Sequence, residues 1–141
     1  MLITYLAVIN FIILITLSAL HFYWALGGQW GFAAALPTNE EGKRMLNPKK
    51  MDSAIVAMGL LVFANYILIY MGFMAFYLPA WIHNYGIWLI IVIFMLRAVG
   101  DFRYVGFFKK IRKTDFAVRD TRYYSPLCLW LSFSSLLLIL K

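Results

Sequence analysis

Five side chains in two short stretches carry most of the chemistry this chain offers. The stretch "SALHFYWALGGQWG", residues 18–31, places His21, Tyr23 and Trp24 in a run that has been uncharged since Met1. The stretch "LRAVGD", residues 96–101, places Arg97 and Asp101 four apart. Residues at that spacing share a helix face, provided the helix continues through Gly100. Histidine changes charge near neutral pH and, beside a carboxylate, serves as a general acid or base. Tyrosine and tryptophan offer an apolar ring with a polar tip. Together the five form a candidate ligand-binding set: His21, Tyr23, Trp24, Arg97 and Asp101. No residue is assigned a catalytic role.

A structural use of the same residues is equally open. His21 can hydrogen-bond a neighbouring helix or interfacial water, and Arg97 with Asp101 can be an ion pair that anchors a helix end. If His21 instead faces the bundle interior, it does so through the stripe Ser18, His21 and Ala25, toward the polar end of the third helix. Intramembrane ionisable residues are costly and usually face inward. Asn10 and Asn65 lie deeper, where hydrogen bonds between helices are the expected use.

The elements that must position these residues follow from composition. The chain has 141 residues, 64% of them hydrophobic and 13% charged. A soluble domain is typically about 45–50% apolar and about 25% charged. A bilayer core of about 30 Å needs roughly 20 apolar residues in a helix. Leu2–Leu26 is uncharged apart from His21. It lacks the basic start, short apolar core and cleavage site of a signal peptide. Ser53–Leu96 is uncharged and long enough for two crossings. The turn between them is expected in "YLPAWIHNYG", where Pro79 cannot continue a helix and Asn84 and Gly86 favour turns. Trp81, Tyr85 and Trp88 there suit an aromatic belt, and His83 has no charged neighbour. Ser125–Leu140 makes the fourth span. The fold class is therefore all-α: a polytopic membrane protein whose residues 1–141 form a single four-helix membrane domain. Its antiparallel bundle has spans at about 2–26, 54–78, 80–99 and 125–140.

Twelve of the 13 lysines and arginines fall in two segments, Gly27–Asp52 and Arg97–Tyr124; only Lys141 lies elsewhere. The positive-inside rule then puts both basic segments in the cytoplasm and both termini outside. The formal charge of +7 is explained by topology, so nucleic acid is not an expected partner. The second basic segment alternates cations with aromatics, as an interfacial helix between helices 3 and 4 would, with its cations meeting anionic lipid headgroups. Cys128 is the only cysteine and there are two histidines, which leaves no disulfide and no metal or cofactor site to expect. No intramembrane acid lies near mid-bilayer, as a proton-coupled exporter would need.

The blocks "LHFYWALGGQWG" with the following "ALP", "LRAVGDFRYVGFFKK" and "TDFAVRDTRYYSPLCLWL" resemble a family of small bacterial four-helix membrane proteins known only as a domain of unknown function. The resemblance covers nearly the whole chain. It implies four spans and a bacterial plasma-membrane location, and it supplies no reaction, substrate or cofactor. Residues matching its pattern are His21, Tyr23, Trp24, Gly27, Gly28, Pro37, Arg97, Gly100, Asp101, Gly106, Asp120, Ser125 and Pro126. Three functions fit these observations. The protein could bind a lipid or small amphiphile in a polar, aromatic pocket near the cytoplasmic interface. It could be a membrane enzyme acting on a lipid-soluble substrate through His21 and Asp101. It could be a non-catalytic subunit packing against another membrane protein or a second copy of itself.

Overall fold

A computed structural model describes residues 1–141. Four long helices account for the fold: α1 (Leu2–Ala25), α2 (Lys50–Tyr70), α3 (Ala80–Val99) and α4 (Asp115–Leu140). All four are long and apolar enough to cross a membrane, yet no more than 39% of the residues in any span's most apolar window are buried. A helix that is apolar all round and still uncovered has only lipid to face. The protein is thus a multi-pass, all-helical membrane protein, and sheet is absent apart from a single bridge between Thr38 and Arg44.

Local chemistry sets where the helices start and stop. At the end of α1, Gly27 takes φ 101°. The Gly28 N–H returns to the Tyr23 carbonyl and the Gly27 N–H to Trp24. This is a Schellman closure, which needs the left-handed glycine. α2 ends in the same way, with Gly72 at φ 78° and the Phe73 N–H on the Leu68 carbonyl. α2 starts at Lys50 because the Asp52 carboxylate accepts the Lys49 N–H at 2.7 Å; an acid in the first turn also suits the helix dipole. α4 starts at Asp115 because Thr114 Oγ1 accepts the Ala117 N–H at 3.1 Å, a side-chain N-cap.

Three local expectations change. The connection between α2 and α3 is Met71–Pro79, so Asn84 and Gly86 lie inside α3 and not in a turn. Pro79 ends the connection at the N-cap of α3, a position that needs no intrahelical N–H. Gly86 serves packing instead. A Cβ there would lie 2.6 Å from the Tyr66 ring, whose hydroxyl donates to the His83 carbonyl at 2.9 Å. Next, α3 fills its expected span but does not continue through Gly100, which adopts φ 89° and ends the helix at Val99. Finally, the basic aromatic segment before α4 forms no separate helix. It is irregular up to Thr114 and then runs straight into α4. Inside α4, Asp120–Tyr124 is a π turn in which the Ser125 N–H reaches back to the Asp120 carbonyl. Pro126 follows at once; it has no N–H to give and its ring crowds the preceding turn.

α1 packs along α2, and α3 along α4; α1 also meets α4, while α2 and α3 touch more sparsely. Small residues decide the close pairs. Ser18 Oγ donates to the Ala57 carbonyl at 2.7 Å, and Ser132 Oγ to Ile91 at 2.9 Å. Backbones approach closely where small side chains line a membrane interface. Asn10 ties α1 to α4, accepting from Ser134 Oγ at 2.8 Å and donating to Ser135 Oγ at 3.4 Å. Asn65 bonds only within its own helix, to Leu61. Between α2 and α3 stand larger rings, such as Phe63 against Phe94 at 6.4 Å, which hold the helices further apart.

Candidate functional site

The end of the bundle that carries the two basic segments is folded into two clusters and an open groove. The first cluster starts from the loop after α3. Asp101 Oδ1 accepts three backbone N–H groups, from Arg103, Tyr104 and Val105, at 2.7–3.0 Å. Partial burial raises the pKa of this carboxyl, but those donors together outweigh it and hold it below the ordinary 3.8. Gly100 and Gly106 close the loop back to back: a Cβ on Gly100 would lie 1.8 Å from the Val105 carbonyl oxygen. Phe102, at φ 62°, is the one non-glycine residue with positive φ. The closed loop holds the Gly106 N–H where it donates to Asp120 Oδ2 at 2.7 Å.

Asp120 is fully buried and sits at the start of the π turn. Its Oδ1 pairs with Arg97 Nη2 at 3.0 Å, and its Oδ2 with Lys109 Nζ at 3.0 Å. Ser125 Oγ donates to Oδ2 as well, at 3.2 Å. Lys109, only 1% exposed, also donates to the Gly106 carbonyl at 2.9 Å and to Thr121 Oγ1 at 2.6 Å. Two cations thus meet one carboxylate. Its Oδ2 alone takes three donors, the Gly106 N–H, the Lys109 ammonium and the Ser125 hydroxyl. It acts as an anchor joining α3, the 100–109 segment and α4. One polar atom in the cluster is left over: Arg97 Nη1 is buried without a partner.

The second cluster surrounds His21. Its Nδ1 lies 2.8 Å from the Leu17 carbonyl. A carbonyl only accepts, so Nδ1 carries the hydrogen and Nε2 is left free. The Trp24 ring meets the imidazole edge-on at 4.8 Å and Phe32 at 5.7 Å, and its Nε1 donates to the Trp30 carbonyl at 2.8 Å. These rings wall a half-open cavity of about 160 Å³ whose other side is α2, through Asp52, Ser53 and Val56. Tyr23 stands next door but is exposed; its ring covers Gly28 and its hydroxyl accepts the Trp30 N–H at 3.5 Å.

The five candidate residues therefore do not converge. His21 and Trp24 share a cavity built from α1, the first loop and α2, with no wall from α3. Arg97 pairs with Asp120 and not with Asp101, whose carboxylate serves its own loop. The i,i+4 pairing failed because α3 does not pass Gly100. Lys109 and Asp120 were not among the candidates. The signal was present for Asp120: it falls in the same motif blocks as Arg97, Gly106 and Ser125, its direct partners. No group of three histidine, cysteine or acidic side chains converges.

Beside these clusters runs an open groove of about 830 Å³ between the first loop and the segment entering α4. Leu36 lines both the groove and the His21 cavity. Tyr124 pins the loop in place by donating to the Ala34 carbonyl at 3.1 Å. Both clusters, the groove and all but the outer ends of α1 and α4 lie within residues 14–135, the part of the chain that matches the family model described as "Protein of unknown function (DUF3995)".

The chain belongs to that family.

No curated protein and no solved structure matches it. The DUF3995 match spans both clusters, from Leu14 on the buried face of α1 to Ser135, the partner of Asn10.

Proposed function

We propose that this DUF3995 protein sits in the bacterial plasma membrane with its basic end in the cytoplasm and holds a small lipid-like amphiphile there. The observation that carries the reading is the cavity under Trp24 and His21. Its volume of about 160 Å³, with five of nine lining residues apolar, gives room for one ring or a short acyl segment. Aromatic walls supply apolar contact, and the His21 imidazole, fixed through Nδ1 on the Leu17 carbonyl, supplies a polar group, as small-molecule sites commonly do. Arg97 and Asp101 contribute by fixing the neighbouring half of this end. Asp101 Oδ1 is held by three donors of its own loop, and Asp101 does not line the His21 cavity, which weighs against acid–base catalysis with His21. The cytoplasmic assignment is supported by the twelve cations gathered at one end.

The test uses the full chain in nanodiscs of phosphatidylcholine with a neutral, photoactivatable monoacylglycerol. Labelling is expected on peptides carrying Trp24 and Val56, and Val56→Trp, which fills the cavity, should reduce it several-fold. Val62→Trp, on an exposed face of α2, should leave it unchanged. Equal labelling of Val56→Trp and the unaltered protein would overturn the reading.

A further inference from the structure

We infer that the open groove binds a phosphate group, and that this phosphate is the headgroup of the amphiphile; the inference rests on the reading that the basic end holds such a molecule. Lys110, Arg112, Lys113 and Arg119 line the groove, faced by only two carboxylates, Glu40 and Asp115. None of the four cations is paired. The only ion pairs within 4.0 Å in the whole chain both belong to Asp120. Four cations gathered around one concavity repel one another, and a polyanionic group relieves that repulsion.

One of these cations, Arg112, is also held in place, which distinguishes the groove from a mobile basic tail. Arg112 Nε donates to the Lys109 carbonyl at 3.1 Å, and Lys109 is itself locked by its buried ammonium on Asp120. The guanidinium therefore presents its two terminal nitrogens from a fixed stem. That geometry suits bidentate contact with phosphate oxygens. On the other wall, the loop carrying Thr38 and Asn39 is ordered by Asn39 Oδ1, which accepts the Lys43 N–H at 2.8 Å and the Glu41 N–H at 3.1 Å.

The groove's apolar part argues for an amphiphile as the source of the phosphate. Leu36 and the buried Phe116 form its inner side, and Leu36 is also a wall of the His21 cavity. A single molecule can place its phosphate among the four cations and its apolar portion past Leu36. The volume of about 830 Å³ falls within the usual 300–1,000 Å³ range of ligand sites, ample for a phosphorylated headgroup.

The experiment places the full chain in nanodiscs of phosphatidylcholine containing 10% phosphatidic acid and counts retained lipid by native mass spectrometry. Phosphatidic acid should be retained in preference to phosphatidylcholine. Arg112→Gln with Arg119→Gln should weaken that preference about tenfold. Lys43→Gln with Arg44→Gln removes the same charge at the same end but outside the groove, and should change it less than twofold. Lys113→Gln, at an exposed position, gives a second reading of the groove should the double variant misfold; it should weaken the preference about threefold. A competition arm adds glycerol 3-phosphate at millimolar concentration. Failure to displace phosphatidic acid identifies the lipid as the source of the phosphate, and displacement identifies a water-soluble phosphate ester. Equal loss in groove and control variants, or no preference for phosphatidic acid, would overturn the inference. In either case, continued labelling at Trp24 by the neutral probe would leave the amphiphile reading standing, whereas loss of that labelling would remove both.

Discussion

Replacing Asp120 with alanine removes, in one step, the counter-charge of a lysine that has almost no access to water. Lys109 would keep its bonds to the Gly106 carbonyl and Thr121 Oγ1, but its charge would be uncompensated. Arg97 is less affected, because its side chain is 35% exposed and can turn outward. The Gly106 N–H would lose its acceptor too, and Ser125 Oγ would lose its partner. Breaking a buried ion pair by removing one partner costs about 3–5 kcal/mol, and the Lys109 pair fits that description. The expected loss for Asp120→Ala is therefore about 3–5 kcal/mol, most of it from the stranded ammonium. Lys109→Met alone should cost less, since Asp120 would retain Arg97, the Gly106 N–H and Ser125. In the Asp120→Ala background, Lys109→Met should restore stability. The assay is unfolding in mixed micelles of increasing SDS fraction, followed by tryptophan fluorescence, over all four variants of the cycle. Additive losses, or an Asp120→Ala protein within about 1 kcal/mol of the parent, would refute the assignment of this cluster as the anchor of the basic end.

The two glycines of the loop after α3 should behave unlike Gly59. Gly100→Ala meets the Val105 carbonyl oxygen at 1.8 Å with φ 89° and should cost well over the roughly 1–2 kcal/mol of a left-handed alanine alone. Gly59→Ala has nothing within 4 Å in mid-helix and should gain about 0.5–1 kcal/mol, both read by the same unfolding assay. Asp101 predicts a pH dependence. Its folded pKa lies below the ordinary 3.8, so its stabilisation is fully present above that value and is lost as pH falls through the lowered one. The melting-temperature gap between the parent and Asp101→Asn should be open at pH 6 and close below 3.8; a gap unchanged by acid would contradict the loop assignment. Reporter fusions after Lys141 should be active only outside the cytoplasm, and a cytoplasmically active fusion would reverse the proposed orientation.

Membrane crossing is legible in a sequence because it is a local property. Hydropathy sums along a segment of about 20 residues, and each helix satisfies its own backbone hydrogen bonds. The four spans, the lone basic end and the interhelical use of Asn10 followed from that. Which helices lie together is not local. Lipid is as apolar as leucine, so no hydrophobic gain favours one pairing. The choice rests on small residues such as Ser18 and Ala57, whose partners are distant in sequence. The turn between α2 and α3 was misplaced for a related reason: Gly86 reads as a turn residue until the Tyr66 ring above it is known. The site shows the same division. Arg97 and Asp101 satisfy a helical spacing rule, but one backbone angle at Gly100 ends the helix and cancels it. Arg97 then finds Asp120, and Lys109 finds it too, only because the loop of residues 100–106 closes and the π turn ahead of Pro126 sets the carboxylate between them. Composition determined that the charges gather at one end of a membrane bundle. Tertiary structure alone decided which of them are buried against a counter-charge and which remain unpaired around a groove.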